Sequence, residues 1–164
     1  MKRLFSPWRS QYIASFKKER KKKDECLFCR LARERKDTAN LVVKRYKRCY
    51  VVMNRYPYNS GHLMIVPYTH ASNFEDLSNE EYTEIMTTTS AMIHALGTVS
   101  RPQGYNFGAN LGRVAGAGIE QHVHFHLVPR WNGDTNFMPT LAEVKLVSED
   151  TKTTFRELRK ALRK

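Results

Sequence analysis

The chain has 164 residues, of which 41% are hydrophobic and 27% charged, and its formal net charge at pH 7 is +12. This length suits one folded domain with a hydrophobic core, and the charge favours anionic partners such as nucleotides. No apolar run reaches the roughly 18 residues of a membrane span, and no signal-peptide pattern follows the charged start, so a cytoplasmic protein without membrane attachment is expected.

Much of the positive charge lies near the two ends of the chain. Residues 17–23 read KKERKKK, and the chain ends in RELRKALRK. We expect a basic N-terminal arm over about residues 1–24 and a basic C-terminal segment, both solvated. Nucleic-acid binding by the N-terminal run is the less favoured alternative, because positive charge attracts anions without choosing among them.

Three strands are predicted in the first half of the chain. Residues 41–44 and 49–54 are two mainly apolar runs on either side of a short turn. Residues 56–61, YPYNSG, are dense in turn formers. Residues 62–66 form a strongly apolar run that Pro67 closes. This spacing is typical of antiparallel neighbours.

The clearest helix is predicted from Ser78 to about Leu96. Ser78 can cap the first turn, and Glu81, three residues later, completes a capping box. His94 lies off the apolar stripe and is expected at the surface. The stripe consists of Tyr82, Ile85, Met86, Met92, Ile93 and Leu96.

The second half of the chain predicts another strand over 105–110, a glycine-rich loop over 112–118 and a strand that carries three histidines. A short strand at 141–147 and an amphipathic helix over about 148–164 follow, the latter with Phe155, Leu158 and Leu162 on one face. The whole pattern predicts an α+β fold: an antiparallel sheet of about five strands with helices on one side.

The histidine strand contains residues 122–128, HVHFHLV. Because side chains alternate along a strand, the three histidines share one face, and Val123, Phe125 and Leu127 point into the core. Pro129 is expected to end the strand. The histidines are His122, His124 and His126.

Three interpretations compete for this face. A solvated polar face is disfavoured, since such faces usually mix residue types. A metal held by all three histidines is disfavoured because the outer two lie too far apart for one tetrahedral ion. We prefer nucleophilic chemistry, in which a central imidazole attacks phosphorus while its neighbours bind phosphate oxygens. The glycines of residues 112–118, with Arg113, would let backbone N–H groups approach that phosphate, although a glycine-rich hairpin alone is weak evidence.

The triad His122-Val-His-Phe-His-Leu-Val128 resembles the pattern of the histidine triad (HIT) superfamily. Residues 54–67, NRYPYNSGHLMIVP, are similar to the earlier hairpin of that family. The resemblance covers about residues 26–131, and residues 4–13 and 129–137 resemble the Fhit-like branch, particularly bacterial diadenosine tetraphosphate phosphorylases and hydrolases.

The resemblance implies a nucleotidyl hydrolase or transferase. His124 would form a covalent nucleotidyl-histidine, His126 would hold the transferred phosphate, His122 would assist or orient, and His62 would lie near the same phosphate. The family also implies a homodimer with a sheet that continues across subunits.

The resemblance further implies a nucleotide site. Asn54 matches the ribose-binding position, and Asn110 matches an amide near the phosphates. Strand alternation independently puts Val52 on the same face as Asn54, and Met64 on the same face as His62. Val52 and Met64 would then form an adenine slot above the ribose site. Many relatives carry Gly-Gln-Ser or Gly-Gln-Thr before the triad, whereas residues 115–119 here read AGAGI, which leaves backbone N–H groups such as that of Gly118.

Cys26 and Cys29 form half of a zinc site, since structural zinc takes four ligands. His70 is a candidate third ligand, and the arrangement in some bacterial members of the family implies His122 as the fourth, which would make His122 structural. The alternative is a pair of buried free thiols. An odd count of three cysteines argues against a secreted disulfide framework, and Cys49 is expected in the core.

Two functional alternatives stay open beside dinucleoside polyphosphate cleavage by water or by inorganic phosphate. One is a nucleoside phosphoramidase of the Hint type. The other is a nucleotide- or nucleic-acid-binding module without chemistry, which the basic charge would serve.

Overall fold

The computed structural model describes residues 25–134 and 150–163. Two short helices and three strands come first, followed by one long helix, two more strands and a last helix. They are α1 (Leu27–Glu34), α2 (Asp37–Asn40), β1 (Val42–Arg45), β2 (Cys49–Met53), β3 (Leu63–Pro67), α3 (Asn79–Ser100), β4 (Gly104–Ala109), β5 (Phe125–Arg130) and α4 (Thr151–Ala161).

The five strands form one antiparallel sheet in the order β1-β2-β3-β5-β4. The last strand in the chain therefore lies between β3 and β4, with Met64 of β3 opposite His126 of β5. This arrangement confirms the predicted α+β class and the number of strands.

The sheet is covered on both faces, which corrects the expectation of helices on one side. The larger core packs α3 and α4 against alternate sheet residues such as Ile65 and Leu127. A second core packs α1 against the opposite face, where Val52 and Val66 lie. The sequence did not predict α1, because a helix of only eight residues is too short to show a clear helical periodicity.

Helix α3 begins as predicted. Ser78 caps it and Glu81 completes the capping box, and the helix continues to Ser100, four residues beyond the predicted end. Its buried face is rotated from the predicted stripe, since small residues such as Thr88 and Ala95 pack closely against the sheet. The prediction was therefore wrong for two members of the stripe: Met86 is 56% exposed and Ile93 37% exposed. His94 is exposed as expected.

Strand β5 differs from the predicted histidine strand at both ends. Regular pairing begins at Phe125, three residues after His122, although Val123 still donates its N–H to the Ala71 carbonyl at 2.7 Å. The strand also runs through Pro129 instead of ending there. Pairing with β3 stops at Leu127, so the missing N–H of Pro129 breaks no hydrogen bond of the β3–β5 ladder.

Several predicted features lie outside the described residues, among them the N-terminal arm, the strand at 141–147 and the helix start at Ser148. In α4 itself, Phe155 and Leu158 are buried in the larger core and Leu162 packs against it, as predicted. Within 25–134 and 150–163, no helix combines the length and hydrophobicity needed to cross a membrane.

Candidate functional site

The histidine cluster lies on the α1 face of the sheet, where β3 and β5 run side by side. Cross-strand register places Val52 opposite Met64 and Met64 opposite His126, so these three side chains form one row across the sheet. His62 and His124 each lie immediately before one of the two central strands. The fold therefore brings the fourth histidine to the triad across 64 residues of sequence.

His122 faces a pair of thiols instead of an open cleft. Its ring is 1% exposed, and Nε2 lies 3.0 Å from the carbonyl oxygen of Pro67, to which it donates. That hydrogen bond leaves Nδ1 as the lone-pair nitrogen, and Nδ1 lies 3.3 Å from Cys26 Sγ. Burial lowers the pKa of His122 to about 4, which keeps the ring neutral and able to bind a cation.

The four predicted ligands Cys26, Cys29, His70 and His122 come together, with ligand atoms within 4.8 Å of one another. Cys29 Sγ lies 3.3 Å from His70 Nδ1 and 3.6 Å from His122 Nδ1, and the two imidazole nitrogens are 3.4 Å apart. A tetrahedral zinc ion would separate its nitrogen and sulfur ligands by roughly 3.3 to 3.8 Å. The donor set and its spacing therefore fit a tetrahedral metal ion.

The first turn of α1 connects this cluster to the catalytic candidates. Phe28, which lies between the two cysteines in sequence, places its ring 5.4 Å from that of His122 and 4.7 Å from that of His124. Tyr50 donates its hydroxyl to the Phe28 carbonyl at 2.9 Å, which fixes the helix start on the sheet. Phe28 was not predicted as a site residue, because only the cysteine pair around it forms a recognisable pattern in the sequence.

His124 is held in one tautomer by the backbone. Its Nδ1 donates to the carbonyl oxygen of His122 at 2.9 Å, so Nε2 carries the lone pair. Burial lowers the pKa of His124, which favours the neutral and nucleophilic form. The ring is only 6% exposed and lies between Phe28 and His126, so it is largely covered by its neighbours.

His62 and His126 form a directed pair. The backbone N–H of Tyr58 donates to His62 Nδ1 at 3.0 Å, so His62 carries its proton on Nε2, which lies 2.9 Å from His126 Nδ1. His126 then carries its own proton on Nε2. That buried nitrogen has no hydrogen-bond partner among the described residues. The cluster thus holds a buried N–H donor suited to an anionic oxygen.

The predicted nucleotide-binding residues occupy different environments. Asn54 is half-buried, with Nδ2 3.3 Å from His62 Nδ1. Met64 is half-buried in the row beside His126, whereas Val52 is 2% exposed beneath α1, so α1 covers part of the predicted adenine slot. Asn110 lies half-buried directly after β4, and Gly118 is exposed in the loop that leads to the triad.

Comparisons with known proteins agree with this geometry. A protein-family model described as HIT domain matches residues 35–133. The AP-4-A phosphorylase of Mycobacterium tuberculosis is 40% identical over 161 residues, which span 96% of this chain and 83% of that protein. An adenosine 5'-monophosphoramidase of Schizosaccharomyces pombe is 28% identical over 65% of this chain and 75% of its own length.

Among solved structures, a Zn-bound histidine triad family protein from Mycobacterium smegmatis has the same fold. It aligns with a TM-score of 0.67 at 22% identity, over 85% of this chain and 94% of that chain.

The environment of His126 predicts its titration. Burial, followed by the nearby His124, lowers the pKa of His126 to about 4. A ¹⁵N NMR titration, assigned with His126→Gln, should show His126 neutral from pH 8 to pH 5. Because a histidine in the unfolded chain binds its proton near pH 6.5, this residue should lower the stability of the fold as the pH falls from about 6.5 towards 4. A midpoint above pH 6 would contradict the assigned hydrogen bonds.

Proposed function

Because this chain belongs to the HIT domain family, we propose that it cleaves dinucleoside polyphosphates through a covalent nucleotidyl intermediate on His124. The observation that carries the proposal is that two adjacent imidazole rings offer a lone pair and an N–H donor, respectively. His124 offers a lone pair at Nε2, and His126 offers an N–H at Nε2, with ring centroids 4.9 Å apart. A phosphate between them meets a nucleophile and a hydrogen-bond donor together.

In the first step, His124 Nε2 attacks the phosphorus next to the nucleoside. A nitrogen–phosphorus bond forms, the bond to the bridging oxygen breaks, and that oxygen leaves with the electron pair on the remaining nucleotide. The ring becomes positively charged, since Nδ1 keeps its proton, and the His122 carbonyl that accepts this proton stabilises the charge. His126 donates to an oxygen of the transferred phosphate, and His62 supports His126 from behind.

In the second step, an acceptor attacks the same phosphorus and releases His124. Attack by water yields a nucleoside monophosphate, and attack by inorganic phosphate yields a nucleoside diphosphate. The 40% identity to an AP-4-A phosphorylase over nearly the whole chain favours inorganic phosphate and diadenosine tetraphosphate. The +12 charge suits such polyanionic substrates.

The nucleoside is proposed to lie along the row of Val52 and Met64, with its ribose at Asn54. The half-buried position of Asn54, next to His62, supports a ribose site directly beside the phosphate. Asn110 and the backbone N–H of Gly118 are proposed to contact the phosphate chain, because both flank the exposed loop before the triad. Since that loop lacks the Gln-Ser side chains of many relatives, backbone N–H groups would donate hydrogen bonds to the leaving group instead.

The proposed mechanism predicts which nucleotides are released. Incubated with diadenosine tetraphosphate, the protein should release ADP and ATP when inorganic phosphate is present, and ADP should not form without it. His124→Ala should lower turnover by at least about 10³-fold, because the nucleophile is lost, while calorimetry still detects nucleotide binding. Chromatographic analysis of the products measures both outcomes.

The matched control is His94→Ala, which removes an exposed imidazole of α3 far from the triad in sequence and should leave turnover unchanged. AMP in place of ADP would indicate a hydrolase. Faster cleavage of an adenosine phosphoramidate, the substrate class in the name of the Schizosaccharomyces pombe relative, would favour the phosphoramidase alternative. Nucleotide binding without any turnover by the unmutated protein would favour a binding module and contradict the proposal.

We further propose that the cluster of two cysteines and two histidines holds a structural zinc ion. Bound zinc would cross-link α1 to the segment before β5 and supply no step of the reaction. The fit of the four donors supports this role, as does the Nε2–H of His122, which anchors the ring from its other side. The three cysteines form no disulfide with one another, which supports a reducing cytoplasm as the location.

Zinc content tests this site. Elemental analysis of the purified protein, before any chelator treatment, should give about one zinc per chain. Cys29→Ser should lose the metal and melt at a lower temperature, whereas Cys49→Ser, which removes the thiol buried in the larger core, should keep the zinc. A metal-free unmutated protein would leave the alternative of two free thiols.

We also propose a homodimer formed through β4 and the adjacent side of α3. Strand β4 is an edge strand of the sheet. Tyr105 of β4 donates its hydroxyl to the Ile93 carbonyl at 3.0 Å, so this side of α3 lies next to the edge. Exposed apolar residues mark the same region, which supports burial against a second copy. They are Met86, Ile93, Phe107, Leu111 and Val114.

Sedimentation velocity should therefore show a species of about twice the 19.2 kDa chain mass. The double variant Ile93→Lys with Phe107→Lys should shift this species towards monomer, because like charges would face each other across the two-fold axis. Tyr56→Lys, which charges an equally exposed aromatic residue in the β2–β3 turn, should stay dimeric. A monomeric unmutated protein would contradict the proposed interface.

A further inference from the structure

The turn between β2 and β3 contains a buried asparagine that neither the triad nor the nucleotide site uses. Asn59 is 5% exposed, although a turn residue of this polarity is usually solvated. Its Oδ1 accepts from the Ser60 backbone N–H at 3.1 Å, and its Nδ2 donates across the fold. The acceptors are the Pro129 carbonyl at 3.1 Å and Asp134 Oδ2 at 2.7 Å. The turn is thus attached to the segment that follows the histidine strand.

Asp134 is itself firmly held. Arg130 contacts both of its carboxylate oxygens, with Nε 2.6 Å from Oδ2 and Nη2 2.8 Å from Oδ1. The Trp131 backbone N–H donates to the same carboxylate at 3.1 Å. A bidentate guanidinium–carboxylate pair of this kind is geometrically restrictive. The carboxylate therefore offers Asn59 a fixed acceptor instead of a mobile one.

The attached turn reaches the catalytic cluster through its backbone. The Asn59 carbonyl accepts from the His62 N–H at 3.2 Å, and the Tyr58 N–H donates to His62 Nδ1 at 3.0 Å. The latter hydrogen bond decides the tautomer of His62. If His62 Nδ1 were protonated instead, Nε2 would accept a hydrogen bond from His126 Nδ1–H, and His126 Nε2 would turn a lone pair towards the phosphate.

We propose that Asn59, fixed by Asp134, is a positioning residue that keeps the His62–His126 pair in its donor orientation. The chain of contacts runs from Asp134 to Asn59, from the turn to His62, and from His62 to His126. The predicted effect on rate rests on the proposed function, whereas the effect on the tautomers does not. Asn54 Nδ2, 3.3 Å from His62 Nδ1, provides a second and longer contact, so loss of Asn59 weakens the orientation without abolishing it.

The test measures tautomers and kinetics on the same variants of the full chain. In Asn59→Ala, ¹⁵N chemical shifts of the His62 and His126 ring nitrogens in the substrate-free protein should move towards a mixture of both tautomers. With diadenosine tetraphosphate and inorganic phosphate, kcat should fall about tenfold to hundredfold while KM changes little, because the lost support acts on the transferred phosphate. Asn59→Ser keeps a hydroxyl for the Ser60 N–H but is too short to reach Asp134, and should behave in the same way.

Gln103→Ala is the matched control. The Gln103 Oε1 accepts from the Asn132 N–H at 2.6 Å. The substitution therefore removes a side-chain amide that binds the same loop as Asp134 but does not contact the β2–β3 turn. It should leave tautomers and kcat unchanged. Folded Asn59 variants with unaltered ring-nitrogen shifts would overturn the proposal, and if Asn59→Ala fails to fold, Asn59→Ser decides. An unmutated protein that does not cleave the dinucleotide would refute the proposed function, while the shifts still test the positioning role.

Discussion

The hydrogen bond from His124 Nδ1 to the carbonyl oxygen of His122 determines what the site can do. It selects the tautomer that leaves the lone pair on Nε2, and it places the carbonyl dipole beside the protonated Nδ1. The same residue that supplies this carbonyl presents its own Nδ1 to the cysteine pair. The His124 ring and the cluster of two cysteines and two histidines are therefore connected through the short backbone segment 122–124.

Each of three histidines that look equivalent in sequence gains a different role from its hydrogen-bond partner. A carbonyl oxygen accepts from His122 Nε2 and from His124 Nδ1, while His126 accepts from His62 at Nδ1. These contacts leave a lone pair on His122 Nδ1 beside the thiols, a lone pair on His124 Nε2 and an N–H on His126 Nε2, respectively. Burial supports the division, because it lowers the pKa of all three triad rings and keeps them neutral. Helix α1 provides much of that burial through Phe28.

The fold was largely predictable where strong local patterns agree with tertiary packing. The capping box of Ser78 and Glu81 and the apolar runs of β2 and β3 lie where the sequence placed them. The prediction failed where packing overrides periodicity. Met86 and Ile93 have the right spacing for a buried face, but the small residues of α3 allow the helix to approach the sheet with a different face. Pro129 remains within β5 because pairing with β3 has already ended there, which no local rule can reveal.

For the candidate site, the sequence by itself determined which residue types are available and which of them share a face of the sheet. Alternation along a strand puts the three histidines on one face, and the cysteine pair suggested a zinc site with His70 as a candidate ligand. The resemblance to the histidine triad family implied His62, Asn54 and the addition of His122 to that ligand set. Only the tertiary structure decided the tautomers, the cover by Phe28 and the contact between Asn59 and Asp134, which are 75 residues apart. The physical reason is that side-chain identity fixes which atoms can donate, accept or attack, whereas the proton position on an imidazole depends on partners that folding brings from distant parts of the chain.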